Sequence, residues 1–349
     1  TTEIYTLSLH DALPIFYAAR LSPRNTRHEP YTYTVTGTSN IMTSAIVRAS
    51  VRSIVEYSLR SGDLESAFFG LARPVEGLRA HQRIQKARPD TFTGEVTVSR
   101  TVVANDLMLV VNGRIDGVWR LPDRTVIEEI KSTSGDSGDA AAADNPLHWG
   151  QAKCYAAMYA AEHGLETVDV RLTYCQLDTG DTTDVVRTFS AGELEAFFSD
   201  IVGRYLQWAH MIAAWAVVRD ESISALPFPF DDYRPGQRRL AGAVYRTVRD
   251  GVRLMAQAPT GIGKTAAALY PAIKAVPEGH TGTIFYLTAR TTGKSVAEKA
   301  IDDMRLGGLR LKSLTLTAKE RICFRPGSAC SPDECEYAKG HFDRINGAC

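Results

Sequence analysis

Apolar positions along the chain change period several times, and each change marks an element. From residue 44 to 60, Ile46, Val47, Ala49, Val51, Ile54, Val55 and Leu59 recur mostly at helical spacing. The pattern over 76–87 predicts a second helix. Residues 94–99, 107–119 and 124–130 read as strands, and Leu121-Pro122-Asp123-Arg124 supplies a turn that makes the last two a hairpin. A loop of Ser, Gly, Asp and Ala covers 132–145. Pro146 opens a helix that His163-Gly164 closes. Strands are expected at 168–176 and 184–189. Ser190 then stands as an N-cap with Glu193 in the capping-box position, before a long helix to about residue 219.

Leu226-Pro227-Phe228-Pro229-Phe230 breaks the pattern and is the expected domain boundary. Beyond it come a helix at 235–250, a strand at 252–256, a Gly-rich loop, a helix at 264–275 and a strand at 283–287. That order is the start of an alternating α/β domain. Residues 340–349 read as the middle of a helix, so the chain reads as a fragment. At the other end, the run Thr6 to Ile15 resembles translated sequencing-adapter read-through, and Met42 opens the first clean pattern. Residues 1–41 are therefore expected to be a non-native or disordered leader.

Composition narrows the class. With 349 residues, 44% apolar and 23% charged, the chain has the profile of a soluble globular protein of roughly two domains. Disordered, collagenous and disulfide-miniprotein classes are excluded, and no stretch approaches the ~18 apolar residues of a membrane span. The 40 basic and 40 acidic side chains balance only in total. Up to Leu226 there are 21 basic and 28 acidic residues, and from Pro227 onward 19 and 12. Overall neutrality therefore does not argue against a nucleic-acid partner. Of six cysteines, Cys154 and Cys175 fall in an apolar helix and a strand and read as core thiols. Cys323, Cys330, Cys335 and Cys349 crowd the last 27 residues. That cluster reads as a metal or iron–sulfur site in a reducing cytosol, and a cytoplasmic location is expected.

Two sets of residues carry candidate chemistry. Asp116, in Gly113-Arg114-Ile115-Asp116, and Glu129-Ile130-Lys131 lie on adjacent strands of one hairpin. Residues i and i+2 of a strand share a face, so Glu129 and Lys131 point together and Glu128 points away. Paired carboxylates favour a hard cation, Mg²⁺ or Mn²⁺, which assists phosphate hydrolysis, while Lys131 positions or activates the attacking water. These residues resemble the PD-(D/E)XK nucleases, in their RecB-like branch. The resemblance implies that His81, in Gly77-Leu78-Arg79-Ala80-His81, is an extra metal ligand, and that Gln151 and Tyr155 form a Gln-x-x-x-Tyr motif on one helical face. Glu95 reads as a solvent-facing strand residue or as an acidic helper.

The second set is Ala258-Pro259-Thr260-Gly261-Ile262-Gly263-Lys264-Thr265, a phosphate loop between a strand and a helix. Gly261 and Gly263 let backbone amides face phosphate oxygens, Lys264 contacts the β and γ phosphates of ATP, and Thr265 ligates Mg²⁺. With Ala258 in place of Gly, the loop resembles the superfamily 2 helicase form. Tyr233-Arg234-Pro235-Gly236-Gln237 then resembles the adenine-reading segment, with Gln237 as reader, and Tyr286 to Thr291 resembles the motif that touches a single strand. The spacing Cys323-x6-Cys330-x4-Cys335 resembles the iron–sulfur domain of XPD/DinG-type helicases, implying a 4Fe-4S cluster, with zinc an open alternative. Cys349 is the weaker candidate for fourth ligand, which this helicase type places further on.

Together these readings give an α/β chain: a PD-(D/E)XK restriction-endonuclease-like core at 42–226, then the beginning of a RecA-like helicase domain at 227–349. The resemblance implies a bacterial, metal-dependent DNA nuclease coupled to an ATP-dependent helicase motor, acting on single-stranded, flap or end structures in DNA repair. No Asp-Glu-x-His motif follows the phosphate loop, so the chain is expected to cut DNA without unwinding it. The rival readings are a DNA-binding module with an ATP-binding loop and no nuclease catalysis, and an ATP-dependent enzyme unrelated to DNA.

Overall fold

The computed structural model describes residues 33–34, 45–64, 73–289 and 291–347. The expected leader, apart from Tyr33–Thr34, lies outside these residues, as do Met42, Arg290 and Cys349. Contacts divide the chain into two compact units, one holding 40–210 and 327–349, the other holding 211–326.

A mixed seven-stranded sheet holds, besides the two-residue strand Tyr33–Thr34, the six strands of the first unit: β1 (Ala45–Ser50), β2 (Phe92–Ala104), β3 (Leu107–Arg120), β4 (Thr125–Thr133), β5 (Thr167–Gln176) and β6 (Thr182–Ser190). The long β3 is its spine. One edge pairs antiparallel with β2 from Ala104↔Leu107 to Phe92↔Trp119. The other edge is shared. β1 runs parallel along it from Ala45↔Leu107 to Ser50↔Asn112, and β4 runs antiparallel from Gly117↔Glu128 to Arg120↔Thr125. On that edge residues 113–116 pair with neither strand, so the sheet forks there. β4 continues parallel to β5 and β5 antiparallel to β6.

Helices α1 (Val51–Leu59) and α2 (Pro74–Lys86) lie between β1 and β2, and α3 (Ser137–Ala142) and α4 (Pro146–His163) between β4 and β5. Local chemistry sets their ends. The Ser53 amide donates to Ser50 Oγ, the Leu147 amide donates to Asn145 Oδ1, and Gly164 closes α4 at φ +65°. α4 buries a file of small residues, Ala152, Ala156 and Ala160, beside Trp149 and Tyr159. The core against it includes Val47, Leu109, Val111, Ile115, Ile127, Val170 and Leu172, all fully buried, while Ile130 packs on the other face with Ala80 and Ile84 of α2. The long helix α5 (Ala191–Ala225) starts on a reciprocal capping box: the Ser190 amide donates to Glu193 Oε2 and the Glu193 amide to Ser190 Oγ. The contact division falls inside α5, at His210 and Met211, upstream of the 226/227 boundary read from the Pro-Phe run.

Several sequence expectations are corrected. Residues 45–50 are a strand, not the first turns of a helix. Val47 and Ala49 alternate inward, and β3 offers them a ladder partner. The loop at 132–145 contains α3, which Asp136 caps through its carboxylate. Residues 340–347 hold only the five-residue helix α10 (His341–Ile345), behind Gly340 at φ +58°.

The second unit packs α6 (Gln237–Asp250), α7 (Lys264–Lys274) and α8 (Thr291–Leu306), with a four-residue α9 (Lys319–Ile322). Leu269, Ile273, Tyr286, Ile301, Met304 and Leu311 form its main core, and Val244, Val248, Ala272 and Ala275 a second. The expected strands at 252–256 and 283–287 join no ladder among the described residues. A strand is defined by the ladder it joins, and among the described residues neither segment is assigned to one. Met255 is 93% exposed, which no central strand allows.

Candidate functional site

The fork in the sheet gathers the acidic residues. Asp116 ends the unpaired stretch of β3, and its Oδ2 accepts the Ile130 amide at 2.8 Å. A side chain thus replaces the strand partner that the fork removes. From the same face of β4, Lys131 Nζ donates to Glu129 Oε1 at 2.7 Å and to Gln151 Oε1 at 2.8 Å. Gln151 Nε2 in turn donates to Tyr155 Oη at 3.2 Å. His81 Nδ1 stands 3.8 Å from Asp116 Oδ2. The structure therefore brings together Asp116, Glu129, Lys131, Gln151, Tyr155 and His81 from α2, β3, β4 and α4. Gly113 makes room for this: a Cβ there would lie 2.3 Å from Tyr155 Cε1.

Burial dominates the electrostatics. It pushes Asp116 up to about 6, against the opposing pull of the Ile130 amide and Lys131. It pushes Glu129 up to about 7, with the Asp116 carboxylate adding to the shift and Lys131 resisting it. Burial lowers His81 and brings His148 down to about 4, the Lys131 charge adding to the latter. Tyr155 is raised by burial and keeps its hydroxyl proton. Glu129 Oε2 is buried without a hydrogen-bond partner. Two crowded carboxyls and an orphaned oxygen are what a cation would relieve. Even so, no group of three or more His, Cys, Asp or Glu is drawn close enough to hold a metal among the described residues.

Glu128 faces the opposite side. It is fully buried and accepts from Trp119 Nε1 at 2.7 Å, Thr173 Oγ1 at 2.6 Å and Arg88. One participant is not evident from motifs alone. Gln85 Nε2 donates to the Asp116 carbonyl at 2.9 Å and to Glu95 Oε1 at 3.0 Å. Its signal was available, since it stands one helical turn after His81. Glu95, paired with Arg114 Nε at 2.7 Å, adopts φ +60°, a costly conformation for a side-chain-bearing residue within a strand.

In the second unit the 258–265 loop opens α7. Gly261 and Gly263 both have φ +82°, and Gly263 caps the helix without a side-chain bond, leaving its first amides for an anion. Lys264 Nζ donates to the carbonyls of Ala258 at 3.1 Å and Pro259 at 2.9 Å. Thr265 Oγ1 is 3.4 Å from Tyr286 Oη, and Thr260 lies exposed. Gln237 is 2% exposed. Its Nε2 donates to the Gly263 carbonyl at 3.2 Å, and its Oε1 accepts the Arg234 amide at 3.0 Å. The Arg234 guanidinium donates to the Gly261 carbonyl. Gln237 and Arg234 thus clamp the loop.

Cys335 is buried, while Cys323 and Cys330 are partly exposed; no three-thiolate set forms among the described residues. Cys154 and Cys175 are buried, and burial pushes the Cys154 thiol up to about 12.

A phosphate loop with lysine and threonine, clamped by an upstream Gln and Arg, defines a nucleotide-binding segment. Residues 234–321 match the family DEAD/DEAH box helicase. That match supports a helicase superfamily for this segment, with the ATP hydrolysis and nucleic-acid binding of that class, and says nothing of the unit that carries the fork. No curated protein matches the chain. A solved structure titled "Crystal structure of SSO0001" is 19% identical, over 44% of this chain and 75% of that one, with a TM-score of 0.30. A likeness that small carries no argument about fold or function. No helix among the described residues is long and apolar enough to cross a membrane.

Proposed function

We propose that the chain is a metal-dependent DNA nuclease of the RecB-like PD-(D/E)XK type, joined to part of an XPD/DinG-like ATP-dependent helicase motor. Its role is the processing of DNA ends or flaps in repair. The observation that carries the nuclease reading is the convergence at the fork. Asp116 and Glu129 meet beside Lys131, and one Glu129 oxygen is buried without a partner. Asp116, Glu129 and His81 would hold Mg²⁺ or Mn²⁺, which supplies Lewis-acid activation of water and of a phosphate. Lys131, fixed between Glu129 and Gln151, holds a positive charge where a phosphodiester's oxygens would come to rest. Gln151, anchored on Tyr155, keeps that ammonium aimed.

In the motor segment, ATP binds at 260–265 with Mg²⁺ on Thr265, and Gln237 acts through the loop backbone. Cys323, Cys330 and Cys335 are offered as ligands of a 4Fe-4S cluster on their spacing alone. The described thiols do not form the set, and iron content of the purified protein tests the cluster.

The decisive experiment is cleavage of labelled single-stranded and flap DNA with Mg²⁺ or Mn²⁺. Asp116→Ala and Lys131→Ala should abolish cutting while DNA binding persists. Equal cutting by both variants would refute the reading. The absence of a three-ligand group among the described residues favours one alternative, a DNA-binding module without catalysis. Wild-type protein that binds both substrates and cuts neither with either metal would establish that alternative.

A further inference from the structure

We propose that the cleft between the C-terminal end of α2 and the start of β2 is a nucleotide subsite, holding the base and phosphate of a DNA residue that flanks the phosphate presented at Asp116. The proposal rests on the nuclease reading only for what its neighbour does. The cleft has a volume of about 420 Å³, within the ~300–1,000 Å³ usual for small-molecule sites. Its walls hold one aromatic ring, two amides and the Lys86 ammonium, which suit a nucleotide's base face, base edge and phosphate, beside Arg88, Pro89 and the Asp90 carboxylate.

Phe92 supplies the ring, and the sequence makes it rigid. It lies across Gly117, where a Cβ would come within 1.9 Å of it, and packs edge-on against Trp119 at 5.4 Å. Trp119 is itself flanked by Arg88 at 5.1 Å and Arg171 at 5.0 Å and tethered to Glu128. A stacking face held this way loses little freedom when a base lands on it. Arg88 is committed to Glu128, so the cation left for a phosphate is Lys86. The exposed side chains of Lys86 and Gln82 make no hydrogen bond or ion pair among the described residues.

Gln85 ties the cleft to the acidic site. It lines the cleft, and both its amide hydrogens are spent on Asp116 O and Glu95 Oε1, which leaves its carbonyl oxygen as an acceptor. Gly94 keeps the floor open. A Cβ there would sit 3.4 Å from the Phe92 ring, 3.7 Å from the Asp116 carbonyl and 3.7 Å from Gln85 Cδ, ordinary contacts that would fill space without forcing the fold apart.

The test uses the full chain and a short single-stranded oligonucleotide carrying 5-iododeoxyuridine, irradiated in EDTA so that cutting plays no part. A crosslink to Phe92 is expected, lowered about fivefold in the Gln82→Ala/Lys86→Ala double variant and in Gly94→Ala. With Mg²⁺, the same variants should raise KM about fivefold and leave kcat nearly unchanged. Absence of any crosslink within residues 82–94, with KM unchanged in the double variant, overturns the subsite. A crosslink to an RNA oligonucleotide alone would overturn DNA as the occupant. Failure of the nuclease reading looks different: wild-type protein would crosslink at Phe92 and cut nothing. Phe92→Leu keeps the packing over Gly117 and removes the π-face; should it fail to fold, the double variant at two exposed positions decides.

Discussion

Glu129→Gln should stabilise the protein at neutral and alkaline pH while abolishing cleavage. Glu129 is 3% exposed, one carboxylate oxygen has no partner, and burial beside Asp116 raises its pKa from 4.5 to about 7. A folded-state pKa above the unfolded one means that the native state binds the proton more tightly. Below about pH 4.5 both states are protonated and Glu129 costs nothing. Between there and about pH 7 the penalty grows, and above pH 7 it is complete. At ~1.36 kcal/mol per pH unit it reaches about 3 kcal/mol, an upper figure because the amide surrenders the charge that Lys131 now pairs with. The amide keeps an oxygen for the Lys131 ammonium, so the contact at 2.7 Å need not be lost. With a urea slope of ~1–3 kcal/mol per molar, the midpoint at pH 8 should rise by on the order of 1 M, and the gain should vanish near pH 4. Tryptophan fluorescence follows the transition through Trp119 and Trp149. Added Mg²⁺ should narrow the gap by neutralising the wild-type carboxylates. A variant less stable than wild type at pH 8, or a gain independent of pH, would refute the account of a buried, under-compensated carboxylate.

Four further outcomes follow from particular contacts. Gly113→Ala drives a Cβ to 2.3 Å from Tyr155 and 3.1 Å from Val51, so it should cost ~1–3 kcal/mol in thermal or urea melts and reduce cutting by displacing Gln151 with Tyr155. Trp119→Phe leaves Glu128 Oε2 without its 2.7 Å donor and should destabilise by ~1–3 kcal/mol, with no loss if water replaces the indole. Gln237→Ala frees the Gly263 carbonyl and the Arg234 amide, and calorimetry should show Mg-ATP binding about tenfold weaker, or else the clamp is dispensable. Asp63→Ala removes the 2.6 Å acceptor of the Gly340 amide and should speed proteolysis between 336 and 347; an unchanged digestion pattern would show that the remaining bonds from Leu64 and Gly62 hold the tail.

Where signals are local, the sequence alone carried the answer. α4 begins and ends where Pro146 and His163-Gly164 place it, because a ring-fixed φ and a left-handed glycine act within one turn. The Ser190–Glu193 box works the same way. Period also sufficed to put Glu129 and Lys131 on one face with Glu128 on the other, and Gln151 and Tyr155 on one helical stripe. Pairing was beyond its reach. Residues 45–50 suit a helix as well as a strand by spacing, and only the ladder to β3 selects the strand. Residues 252–256 and 283–287 have strand composition and join no ladder among the described residues. The fork at 113–116 is likewise a property of two strands, β1 and β4, sharing one edge of β3. Because of it, a carboxylate caps a backbone amide across the hairpin, and two acids are buried close enough that the Asp116 charge raises the pKa of Glu129. Nor does spacing reveal that Phe92 rests on a glycine twenty-five residues away. Local chemistry reads out residue by residue. A ladder, a fork or a buried charge depends on which distant segments arrive together, and that is decided only when the tertiary structure forms.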